Sequence, residues 1–165
     1  MLVMGVDPGL ARTGYGLIRR VGRDLVPVAW GCIETPAGEP LPGRLLMLHR
    51  QLGELFGRHH PDCLALEQIF FNRNARTAIE VGQARGVVLL AAAEAAVPVE
   101  EYNPLTVKQA VTGYGGAEKQ QVQKMVHMLL ELPVRPEPDD VADALAVAIC
   151  CLERWYLERR TVAPP

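Results

Sequence analysis

Four acidic residues stand where a carboxylate can do chemistry. Asp7 closes the apolar run LVMGVD and Glu67 closes CLALE. In open α/β sheets the working crevice lies at the carboxyl ends of the strands, so two acids at two such ends meet when their strands are neighbours. Taken alone, Asp7 before Pro8 and Gly9 reads more simply as a turn residue. Asp140 and Asp143 lie three apart in DDVADALAVA, which puts both on one face of a first helical turn. Acids at that place also complement the helix dipole and cap free N–H groups, and Asp139 needs no other explanation. Asp143 does. From Val141 to Leu152 it is the sole polar side chain of a helix apolar on every side, which predicts burial. A buried carboxylate is costly unless it is paired or bound to metal.

Carboxylates converging on one crevice repel one another and hold protons unless cations intervene. Oxygen-rich, histidine-poor ligation with room for water and phosphate suits Mg²⁺ or Mn²⁺ rather than Zn²⁺. Two such ions roughly 4 Å apart support phosphodiester hydrolysis, one generating hydroxide and the other stabilising the leaving oxygen. The charge balance is not that of a generally basic nucleic-acid binder, since 17 Lys and Arg against 19 Asp and Glu give a formal net charge of -2. The basic residues are grouped, however. Residues 68–79 carry Arg73 and Arg76 without an acid, and residues 103–130 carry Lys108, Lys119 and Lys124 against Glu118 alone. These are two local basic patches.

The elements that must position these groups read as one domain, because 165 residues at 49% hydrophobic suffice for a core without staples. LVMGVD, TGYGLIRR and LVPVAWGCIE predict three strands with short connections, hence an antiparallel meander. A Pro/Gly-rich break at residues 36–42 precedes RLLMLHRQLGELF, whose leucines recur at helical spacing. Then follow the strand CLALE, a long Ala-rich helix over residues 74–96, the strand VPVEEY, the helix LTVKQAV, a GYGG turn, a helix over 117–130 and a last helix over 139–157. This order predicts an α/β fold: a single mixed five-stranded sheet with helices on both faces. The domain is expected to span 1–157, with 158–165 as a flexible tail. In the long helix, Ala75, Ala78, Gly82, Gly86 and Ala93 form a small-residue face, and its later part is apolar on more than one side, so a second covered surface is expected. Cys32, Cys63, Cys150 and Cys151 sit in apolar stretches without zinc spacing and read as reduced packing residues. The opening MLVMGVDPG has no signal-peptide character and no window approaches a membrane span, so a cytoplasmic protein is expected.

The motifs DPGLARTGYG, LALEQIFF, GQARG, VKQAVTGYGGAEKQQV and DDVADALAVA, in this order and at this spacing, resemble the bacterial RuvC family of Holliday-junction resolvases over nearly the whole chain. The resemblance implies an RNase H-like fold and a nuclease that cuts four-way DNA junctions in recombination and repair. It assigns the catalytic, metal-binding carboxylates to Asp7, Glu67, Asp140 and Asp143, the family's D-x-x-D spacing selecting Asp140 over Asp139. It implies two Mg²⁺ ions per site, replaceable by Mn²⁺, a homodimer, and the RuvA-RuvB branch-migration complex as partner. Lys108 and Lys119 match basic residues near the cleaved strand, Lys119 with a catalytic part. Phe70 matches an aromatic that contacts unstacked bases. Phe70 and Phe71 are neighbours at a strand end and point to opposite faces, so one of them is expected to be free for DNA. Arg73 and Arg76 follow and would hold phosphates.

Each of these has a plainer alternative: solvated lysines at Lys108 and Lys119, core aromatics at Phe70 and Phe71. As whole functions, three rivals stand. One is an RNase H-like nuclease acting on other branched DNA or on RNA-DNA hybrids. Another is an actin-like ATPase fragment, whose phosphate loop also opens with a strand, an Asp and glycines, as Asp7, Gly9, Gly14 and Gly16 do. A non-catalytic junction-binding scaffold is the third, and retention of all four carboxylates argues against it.

Overall fold

The computed structural model describes residues 1–68 and 75–162. Its sheet has the order β3-β2-β1-β4-β5. β1 (Leu2–Asp7), β2 (Arg12–Val21) and β3 (Asp24–Glu34) form the expected antiparallel meander, while β4 (Cys63–Glu67) and β5 (Val99–Tyr102) add in parallel. The central strands β1 and β4 are buried on both faces, which explains why they read as unbroken apolar runs.

Alternate side chains feed two cores. Val3, Cys63 and Ala65 face α3 (Pro104–Thr112), α4 (Lys119–Leu129) and α5 (Asp139–Val162). Leu2, Met4, Val6, Leu64 and Leu66 face α1 (Leu41–His59) and α2 (Ala75–Glu94). Of α5, every residue from Ala144 to Leu152 is buried, the helix being enclosed by the sheet on one side and by α3 and α4 on the other. The four cysteines are unpaired, and three of them are buried.

Two boundaries differ from the sequence expectation. α1 takes in Pro42 from the expected break, because proline fits a first helical turn, where its missing N–H is not needed. α5 runs on to Val162, through residues the sequence reading gave to a flexible tail. Arg154 pairs with Glu158 one turn on, Arg159 lies 4.2 Å over the Trp155 ring, and no helix breaker intervenes before Pro164.

α5 lies low on the sheet because glycines make room for it. A Cβ on Gly5 would stand 2.0 Å from the Ala144 carbonyl oxygen, and one on Gly14 would stand 2.0 Å from that of Asp140. These glycines therefore seat a helix; they do not cradle a phosphate.

α2 packs on its sheet through Ala84, Val88, Ala91 and Ala92. Gly82, Gly86 and Ala93 point away, as do the exposed Ile79 and Leu90. A Cβ at Gly82 or Gly86 would meet no other part of this chain among the described residues. No helix there is long and apolar enough to cross a membrane.

Candidate active site

Strand geometry alone brings Asp7 and Glu67 together. Val6 and Leu66 are register partners in the parallel β1–β4 pair, and Asp7 and Glu67 each follow by one residue. With period 2 both acids emerge on the face that carries Val3, Cys63 and Ala65, the face covered by α5. Asp7 is also the register partner of Gly14, the glycine that seats the Asp140 backbone. The helix that carries Asp140 and Asp143 therefore starts beside Asp7.

A cavity of about 250 Å³ opens there, lined by Asp7, Glu67, Asp143, Lys108 and Lys119 over an apolar floor. Asp140 stands beside the cavity and acts on Asp7 through its charge. Its Oδ2 lies 3.4 Å from Arg12 Nε, yet that oxygen is buried and accepts no hydrogen bond. Asp139 is turned outward, 64% exposed. Asp143 is not as buried as its apolar surroundings led us to expect. Its side chain is 32% exposed, because it sits where the α5 face runs into the cavity, and Lys119 Nζ meets it at 2.9 Å. Lys119 also reaches Asp139 at 3.5 Å. It begins α4, whose start is fixed by a reciprocal capping box between Glu118 and Gln121.

The charges are under mutual stress. Asp7 is pushed up to about 7 by burial first, then by the charges of Asp143, Asp140 and Glu67. Glu67 is raised by desolvation and by Asp143, with Lys108 and Lys119 opposing. Burial raises Asp143 too, against the pull of Lys119. Burial works against the Lys119 charge, but Asp143 and Asp139 outweigh it and raise the ammonium. A raised carboxyl contributes stability that is complete below its unfolded value and is lost as pH rises through its folded value. The metal-free protein should therefore lose stability from about pH 4 through about 7, with an upper bound on the order of 4 kcal/mol from Asp7. Melting curves across that range check this: Asp7→Asn should flatten the fall, and an equally steep fall in the variant would show that Asp7 is not its source.

The donor set fits divalent cations. Three carboxylates share one cavity, a fourth keeps a buried oxygen that accepts no hydrogen bond, and burial together with the neighbouring acids favours a proton on Asp7 where a cation could replace it. Among the described residues no three such side chains close to metal-gripping distance unaided. Asp143 is engaged by Lys119 instead.

Several residues around the site escaped the sequence reading. Thr13, fully buried, donates to the Gly9 carbonyl at 2.7 Å and accepts from the Gly9 N–H at 3.3 Å, closing the turn after Asp7. Thr35 donates to the Leu10 carbonyl at 2.5 Å and accepts from Arg44 at 2.8 Å. Arg12, beside Asp140, and Arg85, on the Glu67 carbonyl, also border the site. No spacing in the sequence marks Thr13, which follows Arg12 and precedes Gly14. Phe70, Phe71 and Arg73 lie outside the described residues, as does the side chain of Arg76.

A mixed five-stranded sheet with carboxylates at the ends of its central strands, faced by two more on a covering helix, defines an RNase H-like α/β fold with an acidic crevice. Residues 3–151 match the family described as crossover junction endodeoxyribonuclease RuvC. The chain belongs to that family. It is 57% identical over 150 residues to the crossover junction endodeoxyribonuclease RuvC of Desulforamulus reducens, covering 91% of this chain and 92% of the relative. Among solved structures, T. thermophilus RuvC in complex with Holliday junction substrate superposes with a TM-score of 0.88 at 37% identity, covering 100% of this chain and 99% of that one. The yeast mitochondrial Holliday junction resolvase Ydc2, with a TM-score of 0.67 at 14% identity over 96% of this chain and 82% of its own, shares the fold.

Proposed function

We propose that this chain resolves four-way DNA junctions by paired symmetric nicks, hydrolysing phosphodiesters at the cluster of Asp7, Glu67, Asp140 and Asp143. The observation that carries the reading is the cavity in which Asp7, Glu67 and Asp143 meet Lys108 and Lys119. The four carboxylates would hold divalent cations, with two Mg²⁺ per site as our reading and Mn²⁺ as a substitute. Bound ions of this kind generate hydroxide and stabilise the leaving oxygen.

The protein's own groups do the rest. Asp7 and Glu67 are fixed by the two central strands, and Asp143 and Asp140 by the first turns of α5. Lys119 supplies a positive charge at the rim, where charge developing on a phosphate is stabilised. β4 ends at Glu67, which lines the cavity. Phe70 or Phe71 is assigned to stacking on an unpaired base there, and Arg73 and Arg76 to phosphates. The outward face of α2, with Gly82, Gly86 and Ala93, is assigned to a homodimer, whose twofold axis would set two cavities against a twofold junction. The RuvA-RuvB complex as partner and a cytoplasmic setting complete the reading.

The test offers the protein a mobile synthetic four-way junction and an RNA-DNA hybrid of matched length, both in Mg²⁺. The reading expects paired nicks on opposite strands of the junction and little cleavage of the hybrid. Preferential cleavage of the hybrid would replace it with the ribonuclease alternative.

A further inference from the structure

Glu67 is the carboxylate whose support is hardest to explain. It is the last residue of β4, and residue 68 is the last described before the chain reaches α2. The β4 ladder ends there, so the polar atoms of the peptide that follows must find partners elsewhere. Arg85, in the third turn of α2, reaches back to it. Its Nη1 donates to the Glu67 carbonyl oxygen at 2.9 Å, and its Nη2 pairs with Glu101 Oε1 on β5 at 2.5 Å. The Arg85 side chain is 11% exposed and that of Glu101 43% exposed, so the guanidinium is largely covered while its acid partner stands at the surface. On the other side the Gln68 N–H donates to the Tyr102 carbonyl at 2.8 Å, so the peptide linking Glu67 to Gln68 is held at both its polar atoms.

We propose that Arg85 is a positioning residue for metal binding: by clamping the Glu67 carbonyl against Glu101, it fixes the backbone from which the Glu67 carboxylate enters the cavity. The inference rests on the metal-ligand reading of Glu67 given above. The planar guanidinium suits the task, since one rigid fork engages two acceptors from different strands, which a lysine ammonium on a flexible stem does poorly. Arg85 touches neither substrate nor metal in this account. Its effect passes through Glu67, as outer-shell partners of metal ligands usually act, with losses of about 10- to 100-fold on removal.

A purely structural role for the Arg85–Glu101 pair would make a different forecast. Loss of the pair would lower the melting temperature and leave the metal requirement where it was. The two separate in a Mn²⁺ titration of the full-length protein without DNA, read as the upshift in melting temperature, run alongside junction nicking against Mg²⁺ concentration. For Arg85→Ala we expect the Mn²⁺ half-point and the Mg²⁺ half-point both to rise by about 10- to 100-fold, with junction affinity in chelator unchanged. Guanidinium ion added to Arg85→Ala should recover part of the loss, while sodium at equal ionic strength should not. Arg85→Lys should fall between the alanine variant and the parent. A folded Arg85→Ala protein with parental half-points overturns the proposal. Should the alanine variant fail to fold, Arg85→Lys decides alone, and parental half-points there overturn it equally. Glu67→Gln serves as the reference. If it leaves the Mn²⁺ upshift intact, the metal-ligand reading of Glu67 itself fails; if it abolishes the upshift while the Arg85 variants behave as the parent, only the positioning role falls.

Discussion

Asp143→Asn should abolish nicking, by on the order of 10³-fold or more, and leave a folded protein that still binds junctions. The amide is nearly isosteric, so packing from Ala144 to Leu152 should survive, while the lost charge removes a ligand from the cavity. Burial already raises the Asp143 carboxyl despite its contact with Lys119. Its ionisation is therefore a net cost to the metal-free fold, and the variant in chelator should melt at the same temperature or higher. The rival is a structural ion pair. Breaking a buried pair costs about 3 to 5 kcal/mol, but Lys119 is 55% exposed, and when Asp143 is neutral it turns to water or to Asp139. A large fall in melting temperature in chelator, or nicking that persists in Mg²⁺, would remove Asp143 from the catalytic set.

Gly14→Val should be nearly as damaging to activity by a wholly different route. No catalytic group is altered. A Cβ at residue 14 falls within 2.0 Å of the Asp140 carbonyl oxygen and 2.7 Å of the Val141 nitrogen, backbone atoms that have no rotamer with which to yield. The start of α5 must lift, carrying Asp140 and Asp143 away from Asp7. Such overpacking costs about 1 to 3 kcal/mol, and displacement of two ligands should bring nicking close to the background of Asp143→Asn. Gly57→Ala is the control. Gly57 lies in α1 with open space where its Cβ would stand, so alanine there should stabilise by about 0.5 to 1 kcal/mol and leave nicking unchanged. If Gly14→Val nicks at the parental rate, α5 does not depend on that seat.

Asp7 and Glu67 were legible in the sequence because apolar strands ending in an acid reveal both the strand and its exit point. The meander and the two parallel strands followed from short connections on one side and intervening helices on the other. Asp143 stood out as one charge in an apolar helix, but its half-exposure did not, since exposure depends on where the cavity meets α5. Gly14 and Gly16 invited comparison with a phosphate loop, because a glycine pattern records close approach without saying what approaches. Arg85 and Thr13 could not be found by pattern: their partners, Glu67 and Gly9, are backbone groups that any residue type would present. The outward face of α2 could be suspected from its small residues, yet a single chain carries no record of what covers it.

The cluster is held to be a metal site in which cations replace protons, and the melting temperature of the unmodified protein tests this most directly when followed from about pH 5 to about pH 8 in chelator and in Mg²⁺. Asp7 near 7 and the raised carboxyls around it predict a curve in chelator that falls with pH. The gap opened by Mg²⁺ should widen with pH as each proton lost gives way to the ion. An Mg²⁺ upshift that is absent at the high end, or that persists undiminished in Asp143→Asn, would contradict it.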